Sequence, residues 1–158
     1  MMAKETKKQS QKTSTLAERL KIFIGEWNIE ISAMSFRANK FETVAGLITF
    51  KWLKEHAFII QHSEFSDSEF PSGTEVIGLD DTNENYSVLY SDSRGVLRIY
   101  QMMLDEGLWK LLRIAPNFSQ RFTGLFSNNN NIITAHWESS EDGLSWEHDF
   151  DLIYTKVK

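Results

Sequence analysis

From Trp27 onward, apolar and polar side chains alternate with a period of two, and the alternation is broken at short intervals by turn-forming clusters. The alternating runs are Trp27 to Phe36, Phe41 to Leu53, Ala57 to Phe65, Thr74 to Leu79, Tyr86 to Ser91, Val96 to Leu104, Leu108 to Ala115, Phe118 to Ser127, Ile132 to Ser139 and Ser145 to Val157. The breaks fall at Arg37 to Asn39, Lys54 to His56, Asp80 to Asn85, Asp92 to Gly95, Asp105 to Gly107, Pro116-Asn117 and Asn128 to Asn131. Alternation bounded by Gly, Asn, Asp and Pro is the pattern of half-buried strands, so about ten strands are expected. The links are too short for parallel crossovers, and each strand should pair with the next. A meander of this many antiparallel strands closes into a barrel, which removes its exposed edges.

Before the first strand the period changes. Leu16, Leu20, Phe23 and Ile24 recur at helical spacing, Thr15 with Glu18 three residues on reads as a capping box, and Gly25 is placed to stop the helix. A helix from Leu16 to Ile24 is too short to stand alone and should plug or edge the sheet. Met1 to Ser14 is polar and aperiodic, with four lysines among these residues against Glu5, and is expected to be a disordered tail ahead of a single domain over residues 15–158.

Parity along the strands sorts the faces. Val96, Arg98, Tyr100, Met102 and Leu104 share one face, as do Phe118, Gln120, Phe122, Gly124 and Phe126, while Leu97, Ile99, Met103 and Leu125 fall on the opposite faces. Apolar residues on both faces suggest an outer wall partly covered by the helix or by a second subunit in a homodimer. Ten strands also enclose more room than a small barrel fills, so an internal cavity is expected. In the last run Trp146, His148, Phe150, Leu152 and Tyr154 alternate with Glu147, Asp149 and Asp151. The turn Ser140 to Gly143 permits two registers for this hairpin. One sets His136 opposite His148; the other sets Trp137 opposite Trp146.

Composition adds exclusions. At 158 residues the chain suits one domain, and aromatics reach 13%. The net charge of −5 offers no basic footprint for nucleic acid. There are no cysteines, which excludes disulfides, thiolate catalysis and thiolate-bound metals. No apolar run reaches a membrane-spanning length and no secretory leader is apparent, so a cytoplasmic protein is expected.

The triplet Gly25-Glu26-Trp27 after a short helix resembles the Gly-x-Trp opening of the calycin superfamily, which holds lipocalins, fatty-acid-binding proteins and nitrobindins. Gly78-Leu79-Asp80 with Tyr86, Tyr90-Ser91-Asp92 with Gly95, Trp137 to Gly143 with Trp146, and the ending Tyr154-Thr155-Lys156 resemble an uncharacterised, mostly bacterial, lipocalin-like family within it. The resemblance spans nearly everything after residue 15. It implies an up-and-down barrel with an internal pocket, frequent pairing into dimers, and no established enzymatic activity.

Candidate chemistry follows from both readings. By resemblance to fatty-acid-binding barrels, Arg98 with Tyr100 could hold a carboxylate, and Arg113, Gln120 and Arg121 are further polar positions within apolar strands. By resemblance to nitrobindins, His148 on the last strand could be the proximal ligand of a haem. The four histidines show no short metal-binding spacing, no nucleophile motif is present, and Asp80 to Asn85 lacks the spacing of a calcium loop. Glu64 and Glu138 are candidate inward carboxylates for acid–base work. The expected role is a non-catalytic binding protein for a small hydrophobic or amphipathic molecule, walled by Trp27, Tyr90, Arg98, Tyr100, His136, Trp146 and His148. Haem binding and an enzyme acting on a small lipophilic substrate stand as alternatives.

Overall fold

A computed structural model describes residues 15–80 and 84–158, together with Lys4 and Lys7. The expected disordered tail therefore lies almost wholly outside the described residues, as does the middle of the Asp80 to Asn85 turn.

Ten strands follow one short helix. They are β1 (Gly25–Ser32), β2 (Val44–Lys54), β3 (Phe58–Phe65), β4 (Gly73–Leu79), β5 (Tyr86–Asp92), β6 (Leu97–Asp105), β7 (Leu108–Arg113), β8 (Ser119–Ser127), β9 (Ile132–Ser140) and β10 (Glu147–Lys156). Every strand pairs antiparallel with its chain neighbours, and β1 pairs with β10 to close the barrel. The all-β, up-and-down architecture expected from the alternation is the one observed. The first strand ends earlier than the pattern implied, because Ala33 turns to φ 50° and Ser35 leaves the ladder to donate its N–H to the Asp149 carbonyl at 2.8 Å.

Alternation decides what lies inside. Along β1, Trp27, Ile29 and Ile31 are buried while Asn28 and Glu30 are exposed; along β6, Tyr100, Met102 and Leu104 are buried while Ile99, Gln101 and Met103 are exposed. The helix plugs one end of this interior and leaves the outer wall uncovered. It occupies residues 15–23, its final turns being a 3-10 helix over Arg19–Phe23. Leu20 and Phe23 are wholly buried, and the Phe23 ring meets Trp109 at 4.8 Å, Phe50 at 5.1 Å and Phe126 at 5.5 Å. Each such side chain contributes about 2 kcal/mol of burial. Tyr86 donates its hydroxyl to the Leu16 carbonyl at 2.6 Å, and Trp27 donates Nε1–H to the Phe23 carbonyl at 2.7 Å, so both ends of the plug are fastened to strands. Glu18, expected in a capping box, instead meets His56 Nδ1 at 2.7 Å.

Gly25 shows why the chain needs glycine between plug and strand. Its φ is 134°, and a Cβ there would stand 2.2 Å from the Lys158 carbonyl oxygen, where the end of the chain closes against β1. The outer wall meanwhile exposes Leu97, Ile99, Ile114 and Leu125. Among the described residues no helix is long and apolar enough to cross a membrane.

Candidate functional site

Above the plugged floor the barrel holds a cavity of about 440 Å³, within the range of small-molecule sites. Trp109 and Tyr154 lie towards its floor, stacked edge to face with centroids 5.9 Å apart, and Ile29, Ile48, Leu111 and Leu152 form apolar wall. The rim at the other end carries Phe36, Phe70 and Phe150, whose rings meet pairwise at 6.0 to 6.4 Å. Arg37 ties the two loops that bear this aromatic rim. From the β1–β2 loop its guanidinium pairs with Glu42, with Asp67 at 2.9 Å and with Glu69 at 2.8 Å, and it lies over the Phe70 ring. Those partners hold Asp67 below the usual carboxylate range, first through the Glu69 backbone N–H and then through Arg37.

One polar band crosses the inner face. Gln61 on β3, Glu75 on β4, Tyr90 on β5 and Arg98 on β6 are successive cross-strand partners, and all four line the cavity. Directly paired residues share a face of the sheet, which is why four separate strands deliver these side chains side by side. Arg98 Nη1 donates to Gln120 Oε1 at 3.2 Å and lies over the Phe118 ring, and the Tyr100 hydroxyl donates to the same Gln120 oxygen at 2.7 Å. Tyr90 donates its hydroxyl to Asp92 at 2.7 Å; Asp92 also accepts from Arg94 Nη2 at 2.7 Å, which holds its carboxyl far below the ordinary range. Burial, reinforced by the Asp92 bond, pushes the Tyr90 phenol up.

Four groups facing this space stand apart from that network. Among the described residues the Glu75 carboxyl has no hydrogen-bond or ion-pair partner, and burial alone raises its pKa from 4.5 to about 7. Gln61 Oε1 and Trp109 Nε1–H are buried without a partner. The Tyr154 hydroxyl has none among the described residues, and burial, with the Glu75 charge adding to it, pushes that phenol up. Buried polar groups are ordinarily satisfied within the protein, so Gln61 Oε1 and Trp109 Nε1–H are exceptions to that rule.

The sequence-derived wall divides in the structure. Tyr90, Arg98 and Tyr100 line the cavity, Arg98 and Tyr100 on one face of their strand as parity placed them. Trp27 is fully buried in the floor, where its ring packs against Phe126 and its N–H is committed to the plug. His136, Trp146 and His148 lie on the outer wall. For His148 the cause is a β-bulge between His148 and Phe150: His148 pairs with Glu138, Phe150 pairs with Trp137, and neighbours on one strand point to opposite faces; His136 is outward because Ala135 and Trp137 on either side of it face in. The alternation expected across Trp146 to Tyr154 thus breaks at Asp149, and neither anticipated hairpin register occurs; His136 pairs with Asp151. Outside the barrel Arg121 forms a two-pronged bond with Glu138 at 2.8 Å and stacks on Trp146, and His148 Nε2 meets Asp151 Oδ1 at 2.8 Å.

These placements correct further expectations. Glu64 is exposed and Glu138 is held by Arg121 outside, so neither is the inward carboxylate; that residue is Glu75. Arg113 donates to the Phe118 carbonyl at 3.0 Å. None of the four histidines lines the cavity, so a haem seated in it would receive no histidine ligand from this chain. Among the described residues no cluster of three or more His, Cys, Asp or Glu side chains is placed to hold a metal ion.

Comparison with known proteins adds to the fold alone. No protein-family model matches the chain, and no curated protein matches it by sequence. Solved structures do match: the crystal structure of Rv2717c from M. tuberculosis superposes with a TM-score of 0.62 at 8% identity, over 90% of this chain and 98% of that one. That likeness supports the closed antiparallel barrel fold.

Glu75, Gln61, Trp109 and Tyr154 did not emerge as site residues from the sequence. The signal for Glu75 is present nonetheless: in Gly73–Leu79 it shares its parity with Ile77, which is fully buried, so a charge sits on a core-facing position.

Proposed function

We propose that this protein binds a small amphipathic molecule inside the barrel, without chemistry on it. The observation that carries the reading is the set of unmet polar groups, Glu75, Gln61, Trp109 and Tyr154, in a cavity whose remaining wall is largely aliphatic and aromatic. Apolar burial would supply most of the affinity, at about 25 cal/mol per Å² before ordering costs, and the polar groups would set orientation. A dry apolar cavity needs no such groups, and a purely structural barrel would fill the space with side chains.

Two cavity tryptophans, Trp109 and Trp137, supply a direct test. Titration with 1-decanol is expected to change intrinsic fluorescence saturably at one molecule per chain. Leu111→Phe, which extends a wall residue into the cavity, should weaken that binding while the variant stays folded by circular dichroism. Absence of saturable binding in the parent chain, or unchanged binding in the filled variant, would exclude the barrel interior as the site.

A further inference from the structure

We propose that the cavity receives an apolar molecule bearing a protonated amine, with the Glu75 carboxylate as its partner among the rings of Tyr90, Tyr100 and Tyr154. The inference rests on the reading of the barrel as a binding cavity and names the head group that this cavity selects.

The argument begins with what surrounds Glu75. From β3 its cross-strand neighbour is Gln61, a neutral amide; from β5 it is Tyr90. Tyr100 on β6 and Tyr154 on β10 are near enough for the Glu75 charge to raise both phenols, though burial is the larger cause in each. The nearest cations along the same wall are engaged elsewhere. Arg98 is bonded to Gln120 and stacked on Phe118, and Arg94 is bonded to Asp92. Among the described residues no positive group acts on Glu75, whose perturbation is burial. A buried carboxyl in that situation either keeps its proton or acquires a cation.

The ring faces of tyrosine and tryptophan attract a cation, and Tyr90, Tyr100 and Tyr154 line the same cavity as the carboxyl. An ammonium head would therefore meet a carboxylate and aromatic faces together, while its apolar body lay along Ile48, Leu111 and Leu152. A carboxylate head could approach Arg98, but it would stand on the same polar band as Glu75 and be repelled by it once ionised. Glu75 ionises as pH rises through about 7, so a cation should be held more tightly above that value than below it. An alkylamine keeps its charge throughout, as lysine does with a pKa of about 10.4.

The experiment compares decylamine, 1-decanol and decanoate by isothermal titration at pH 8 and pH 5.5, each below its self-association concentration, with the parent protein and with Glu75→Gln. At pH 8 decylamine should bind about tenfold or more tightly than decanol, the return of one charge-assisted hydrogen bond. That preference should shrink at pH 5.5 and vanish in Glu75→Gln, with folding of the variant checked by circular dichroism. Equal binding of amine and alcohol at pH 8, tightest binding of decanoate, or an amine preference that survives Glu75→Gln would each overturn the proposal while leaving the cavity as a binding site. Failure of all three probes to bind would overturn the cavity reading and this inference with it.

Discussion

Glu75 is the residue whose environment differs most from what its side chain prefers. Its raised pKa has a consequence for stability that is independent of any ligand. Between pH 4.5 and about 7 the folded chain retains a proton that the unfolded chain has released, so stability falls as pH rises through that window. Glu75→Gln cannot ionise, and it is expected to exceed the parent in stability at pH 8 by on the order of 1–3 kcal/mol while matching it at pH 4. Urea unfolding at the two pH values checks this. A difference that does not depend on pH would show that Glu75 does not titrate in that range. Asp92 illustrates the opposite case, a carboxylate already satisfied by Arg94, Tyr90 and backbone N–H groups, whose role is to fasten the β5–β6 turn and aim the Tyr90 ring.

At the scale of elements, two departures from regular strands shape the site. The bulge at Asp149 sends His148 outward and Phe150 inward, and its carbonyl receives the Ser35 N–H, so the same irregularity anchors the start of the β1–β2 loop. Arg37 then joins that loop to the one between β3 and β4 through Glu42, Asp67 and Glu69. Because Phe36 and Phe70 of the aromatic rim ride on these loops, Arg37→Ala should loosen the mouth without unfolding the barrel. Amide hydrogen exchange is expected to quicken by about tenfold or more over residues 66–72, where Ser66 and Phe70 donate to backbone carbonyls, and to stay unchanged in β6 to β9. Uniform quickening across all strands would instead assign Arg37 to global stability.

For the whole molecule, the plug divides the interior into a close-packed floor and a wall that borders open space. Phe50 belongs to the floor, stacked on Phe23 and 1% exposed; Phe150 belongs to the rim and is only partly buried. The same substitution should therefore cost different amounts. Phe50→Leu leaves a void in a packed region and is expected to exceed Phe150→Leu by about 1–2 kcal/mol in urea denaturation. Equal costs would mean that the rim is packed as tightly as the floor.

Period-two alternation, turn-forming breaks and the change to helical spacing before Gly25 together determined ten antiparallel strands, their order, the plug and the shared faces of Arg98 with Tyr100 and of Gln120 with Phe122. Each of these is a local property, since side-chain period and turn chemistry act over a few residues. The tertiary structure alone decided the position of the bulge, the hairpin register, and hence the outward placement of His148. It also decided which inward polar groups found partners. Gln120 and Arg98 come from different strands and satisfy each other, whereas Glu75, equally inward, meets no partner among the described residues. Parity along one strand says which way a side chain points; only closure of the barrel brings the other strands to meet it, or leaves it facing the cavity.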